Sequence, residues 1–200
     1  MRTKDEALHR RRRHQILTAA AACFAERGVH RSTMQQICEA SGVSAGALYR
    51  YFPSKDSIVV ALVEAERAEN RELVEHLDAS PDVIAGLRSV ASALVAALMD
   101  ERYGRLSLEI GAEAARNPAA AAAISASDTE LRLALCAALE RGQRDGAVEA
   151  SLDVEASAFL LMSLFDGMAG RASFSVAPSK RRLVAAFRGL VVRLLAPREP

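Results

Sequence analysis

The stretch "TMQQICEASGVSAGALYRYF", Thr33 to Phe52, decides the fold. Ser32 or Thr33 can cap a helix, and Gln36 stands three residues after Thr33, the spacing of a capping box. Ser41-Gly42 then make a tight turn. Ser44 caps a second short helix that runs to about Phe52, where Pro53 breaks it. Leu48 and Phe52, four apart, share one face and join Ile37 and Val43 in a small core. Ala45, Gly46, Tyr49 and Arg50 lie on the other faces. Two short helices joined by a glycine-containing turn describe a helix-turn-helix, whose second helix enters the major groove of DNA. The hydroxyls of Tyr49 and Tyr51 and the charges of Arg50 and Lys55 suit phosphate contacts.

Working outward, Ile16, Ala19, Ala20, Cys23 and Phe24 mark the apolar face of a preceding helix that ends at Gly28. Ser54 caps a long helix to about Leu77. Ser80-Pro81-Asp82 reads as a further start, with Pro81 at the first helical position. The spacing predicts more helices over about 82–100, 102–116, 118–142, 153–173 and 179–195. Breaks are expected at Asn117-Pro118, Asp145-Gly146 and Ala177-Pro178-Ser179. Alternation of the strand type is absent. The chain is expected to be all-α, with about nine helices.

Charge is unevenly placed. Residues 1–55 hold ten Lys and Arg against four Asp and Glu, so a surplus of six sits in front of a remainder at −5. A basic end joined to an acidic body suits a polyanion at one end only. The run "HRRRRH", His9 to His14, precedes or opens the first helix, either as a phosphate- or groove-binding arm or as a solvated helix start. Three cysteines, Cys23, Cys38 and Cys136, show no metal-type pairing and fit reduced thiols in a cytoplasmic protein. The longest apolar runs, Ala91–Met99 and Ala156–Phe165, fall short of the roughly 20 residues of a membrane helix, and no basic-then-apolar leader opens the chain. His9, His14, His30 and His76 are scattered, and no zinc-protease, nucleophile-elbow or phosphate-loop pattern occurs. An enzyme is not expected, nor any catalytic residue, metal or cofactor.

The segment "ILTAAAACFAERGVHRSTMQQICEASGVSAGALYRYFPSKDSIVVALVE", Ile16 to Glu64, resembles the TetR family of one-component transcriptional regulators over about a quarter of the chain. The resemblance rests on the F-x-x-x-G end of the first helix, the G-V-S-x-G-x-L-Y-x-Y-F turn and helix, and the P-x-K start of the fourth. It implies a homodimer reading a palindromic double-stranded DNA operator, with a small-molecule effector held in the C-terminal helices. Residues 1–55 would form the DNA-binding domain and 56–200 the effector-binding and dimerisation domain. By position in the motif, Thr33 would touch a phosphate, while Met34, Gln35, Ala45 and Gly46 would face base edges. Tyr49, Arg50, Tyr51 and Lys55 would hold the DNA backbone, with Ser44 at the cap between them. Ala45 and Ala47 depart from the more polar residues common there, so discrimination leans on Gln35, methyl contacts and DNA shape.

In the C-terminal part Met99, Phe159, Met162 and Phe165 are large adaptable side chains that suit either plain core or an apolar ligand. Glu109 is the polar residue grouped with them, and Glu113 pairs by spacing with Arg116. Asp166 interrupts "LLMSLFDGM" and needs a partner if buried: an Arg across a dimer seam, a cavity rim or a cationic ligand. Leu160, Leu164, Met168, Leu183, Phe187, Leu190, Val191 and Leu194 recur at helical spacings and suit a four-helix dimer seam. The most fitting function is a repressor released by an effector. The alternative is a constitutive DNA-binding regulator whose C-terminal part only dimerises.

Overall fold

The computed structural model describes residues 2–174 and 177–197, with side chains from Glu6 onward, and helix breaks fall as expected at Asn117-Pro118, Asp145-Gly146 and before Lys180. Among the described residues there are nine α-helices and no strand. They are α1 (Arg2–Arg27), α2 (Met34–Ser41), α3 (Ala45–Tyr51), α4 (Lys55–Ala79), α5 (Val83–Leu98), α6 (Glu101–Ala114), α7 (Pro118–Arg144), α8 (Val154–Ala172) and α9 (Lys180–Leu195). The arginine run lies within α1 rather than ahead of it.

Pro81 does not open α5 as expected. Asp82 takes the cap, its carboxylate accepting the Ala85 N–H at 2.8 Å, so the helix begins two residues later, at Val83. A carboxylate is favoured at the positive end of a helix dipole, and the competing Ser80 hydroxyl donates backward to the His76 carbonyl at 2.8 Å.

Packing divides the chain into two compact units that do not follow chain order. The first takes residues 1–66 together with 105–125. Its core is Ile16, Ala20, Phe24, Ile37, Leu48 and Ile58, all fully buried, completed by Ile110 of α6 and Ala120 of α7. The second takes residues 67–104 and 126–200, built on α5 against α9 and α8. Leu87, Leu135, Leu139, Leu161, Val191 and Leu195 fill it. The functional division expected at residue 55 runs along the chain, whereas α4, α6 and α7 each give residues to both packing units.

The end of α1 shows why α6 belongs to the first unit. Gly28 turns the chain at φ 85°, a left-handed conformation that favours glycine. The Glu109 carboxylate then accepts the Val29 N–H at 2.9 Å, and a Cβ on Gly28 would stand 2.9 Å from that same carboxylate oxygen. Val29 is buried, so its N–H depends on this acceptor from 80 residues away.

Candidate nucleic-acid interface and effector region

The turn between α2 and α3 is held from several sides. Thr33 accepts the Gln36 N–H at 3.2 Å while Gln36 accepts the Thr33 N–H at 2.9 Å, the reciprocal capping box. Gly42 closes α2 at φ 65°. Gln15 of α1 donates to the Ser41 carbonyl at 2.6 Å, and the Cys38 thiol to the Val43 carbonyl at 2.9 Å. Ser44 accepts the Ala47 N–H at 3.3 Å and starts α3. With both ends fixed and Leu48 and Phe52 buried behind it, α3 presents one face outward.

That outward face is bare at its start. Ala45 and Gly46 are exposed, and a Cβ built on Gly46 would meet nothing within 4 Å. No packing demand of this chain accounts for a glycine there. One turn on, Tyr49 (53% exposed) and Arg50 project outward, beside the exposed Thr33, Gln35 and Ser44. Gln35 already donates to Glu39 at 3.0 Å on its own helix.

Met34, Tyr51 and Lys55 are only half-exposed. Met34 and Tyr51 pack against the first unit's core, and the Tyr51 ring lies 4.6 Å from the ring of His9. The Lys55 ammonium donates to the carbonyls of His30 (3.2 Å) and Ser32 (3.1 Å), tying the start of α4 to the loop before α2. Arg13, one turn after His9, sits 5.6 Å over the Phe52 ring and 3.7 Å from Glu64. This support of α3 by α1 was missed in the sequence, because residues 9 and 13 looked like members of one charge run.

The six residues expected to hold an effector divide between the two packing units. Met99, Met162 and Phe165 belong to the second unit's core, where Phe165 packs 6.0 Å from Phe187. Phe159 is 64% exposed, and Asp166 is exposed too, which removes the premise that it is a buried acid. Both stand on the outward face of α8, since a helix with one apolar stripe inward still turns its other sides to the surface. Glu109 lies in the first unit, accepting from Val29. Of the expected seam residues, Phe187 and Val191 face this chain's own core, while Leu160 (55%) and Leu190 (43%) are exposed along with Phe159.

A cleft of about 210 Å³ lies instead between α4 and α7, within the second unit. Val74, Leu131 and Ala134 form its apolar wall. At its edge Arg67 and Arg71, one helical turn apart, both donate to Glu130: Arg67 Nε to one carboxylate oxygen, Arg71 Nε to the other at 2.9 Å. The hydrogen bond from Arg67, and then the charges of both arginines, hold the Glu130 carboxyl below its usual range. Burial pushes the Asp128 carboxyl and the Cys23 and Cys136 thiols up. No group of His, Cys, Asp and Glu able to hold a metal occurs among the described residues, and no single described helix is long and apolar enough to cross a membrane.

Residues 16–62 match the family model for bacterial regulatory proteins of the tetR family, and residues 83–196 match that of the C-terminal part of BetI-type transcriptional repressors. The chain belongs to the TetR family. It is a DNA-binding transcriptional regulator, as its TetR-family relatives are. It is 31% identical over 182 residues to the probable HTH-type transcriptional regulator ArpR of Pseudomonas putida, covering 85% of this chain and 83% of that one. Identity is 28% over 162 residues to the HTH-type transcriptional regulator UidR of Escherichia coli K12, covering 78% and 79%. Among solved structures it resembles Salmonella enterica GusR, with 28% identity, 92% and 95% coverage and a TM-score of 0.76. TetR-family regulators include many repressors that respond to ligands.

Proposed function

We propose that this protein is a ligand-responsive repressor that binds a palindromic operator as a homodimer and leaves it when a small molecule binds. The observation that carries the reading is the front of α3: Ala45 and Gly46 leave its first turn bare, Tyr49 and Arg50 flank it, and Leu48 locks its back. A helix shaped this way can lie against base edges while its polar neighbours grip phosphates. In this reading Met34, Gln35, Ala45 and Gly46 face the bases. Thr33, Ser44, Tyr49, Arg50 and Tyr51 hold the backbone. Lys55 joins them with the one ammonium donor not given to the His30 and Ser32 carbonyls. Residues 1–55 serve DNA reading, and 56–200 sensing and dimerisation, in the cytoplasm. Phe159, Leu160 and Leu190 form the seam, because each large apolar side chain gains about 1.5–3 kcal/mol when fully buried against a second copy.

The test is anisotropy of labelled DNA from beside the protein's own gene, and of DNA selected from a random pool, at two salt concentrations. Saturable binding with a two-fold footprint is expected, with Arg50→Ala weakening it and lowering the salt slope by about one. Failure to select any specific site would sink the proposal.

A further inference from the structure

We propose that the α4–α7 cleft is a site for a small monocarboxylate, in which the ligand's carboxylate takes the place now held by Glu130 between Arg67 and Arg71. The inference deepens the ligand-responsive reading above and rests on it for the consequence of binding, though not for the binding itself.

Three features point to this chemistry. Glu130 shows what the arginine pair selects: a planar anion with two oxygens, each taking one guanidinium Nε–H. That is the planar pairing of a carboxylate with guanidinium N–H groups; guanidinium donors pair with phosphate as well, so phosphates are the competitors against which the site is tested. The pair lines a cavity rather than a flat surface, together with the apolar Val74, Leu131 and Ala134 and the polar Asn70, Glu75 and Ser127. A ligand with a charged head and a hydrocarbon body therefore meets both halves of the site. Third, the space of about 210 Å³ lies below the roughly 300–1,000 Å³ of pockets for drug-sized ligands, which limits the body to a short chain or a single ring.

Glu130 is itself only half-buried, its side chain 36% exposed, so it can swing to water when displaced. The exchange replaces one carboxylate at the arginines by another and leaves no charge stranded. Glu130 thus acts as an internal competitor that sets the concentration at which the ligand binds. The geometry makes a counter-intuitive demand: removing this acid must strengthen binding.

The experiment is isothermal titration calorimetry on the full chain with hexanoate, benzoate and cyclohexanecarboxylate. Their neutral amides, inorganic phosphate and phenyl phosphate are titrated in parallel. At least one carboxylate is expected to bind, with its amide weaker by about tenfold or more, since a charge-assisted pair is lost. Glu130→Gln should tighten the carboxylate by about tenfold, and Arg67→Gln or Arg71→Gln should weaken it by as much. The more exposed Arg71 (54%) keeps the test open if Arg67→Gln does not fold. Four results overturn the proposal: amides that bind as well as acids, phosphates that bind as well as carboxylates, a Glu130→Gln protein that binds no better, or no binding by any carboxylate to either protein. Operator binding is measured separately on the same samples. Intact DNA binding with no carboxylate binding sinks only this inference. Absent DNA binding sinks the repressor reading whatever the calorimetry shows.

Discussion

Gly46 allows stability and DNA binding to be separated at a single position. A methyl group added there meets no atom within 4 Å, and the backbone is not in the left-handed region, so Gly46→Ala carries no steric cost within this chain. Replacing glycine by alanine in a helix gains about 0.5–1 kcal/mol, and the first turn of α3 places the gain toward the lower figure. In a protein of this size each kcal/mol moves the melting temperature by about 2–4 °C, so Gly46→Ala should melt about 1–3 °C higher. DNA binding should move the opposite way. A side chain at the bare front of α3 holds the helix back from base edges and forfeits one or two direct contacts of about 1–3 kcal/mol each. That corresponds to about tenfold weaker binding for Gly46→Ala and a hundredfold or more for Gly46→Leu. Thermal melts by far-ultraviolet circular dichroism and DNA anisotropy at two salt concentrations measure both effects. If Gly46→Leu binds operator as the parent does, α3 does not lie against the bases. If Gly46→Ala melts lower, the space in front of it is not open.

Other outcomes follow from single contacts. Glu109→Ala leaves the Val29 N–H without its acceptor and should cost about 1–3 kcal/mol in urea unfolding, while Glu109→Gln, which keeps an acceptor oxygen, should recover much of it. The Glu130 carboxyl is held below its ordinary value of 4.5, so its stabilising effect is complete above that pH and is lost as pH falls through the lower folded value. Melting temperatures of the parent and Glu130→Gln should therefore converge on acidification and stay apart at neutrality; a gap that persists in acid would contradict the ion pair. Phe159→Glu with Leu190→Glu should yield monomers in sedimentation velocity at unchanged helix content, and a persistent dimer would place the seam elsewhere.

What could be read in the sequence was local. Thr33 with Gln36, Gly42 and Ser44 act within three or four residues of themselves, so their spacing announces the helix-turn-helix directly. The misplacement at Pro81 came from two competing caps one residue either side of it, and only the hydrogen bond from Ala85 to Asp82 decides between them. The effector region resisted because its contacts are long-range. Arg67 and Glu130 lie 63 residues apart, Val29 and Glu109 80 apart, and no periodicity encodes such pairs. Met99 and Met162 are half-buried against the second unit's core and Phe165 lies within it, and side-chain type alone does not separate a pocket wall from a core. Asp166 was read against its neighbours in sequence, whereas burial follows the helix face.

The acceptor that Glu109 offers to Val29, and the apolar side chains that α6 and α7 add beside it, have a consequence for biosynthesis. The ribosome delivers Thr33 to Phe52 early, yet the core on which those helices rest lacks Ile110 and Ala120 until much later in translation. The core beneath the helix-turn-helix is therefore complete only after more than half the chain has been made. A message cut after α4 encodes the whole helix-turn-helix motif and still yields a chain whose first core lacks Ile110 and Ala120.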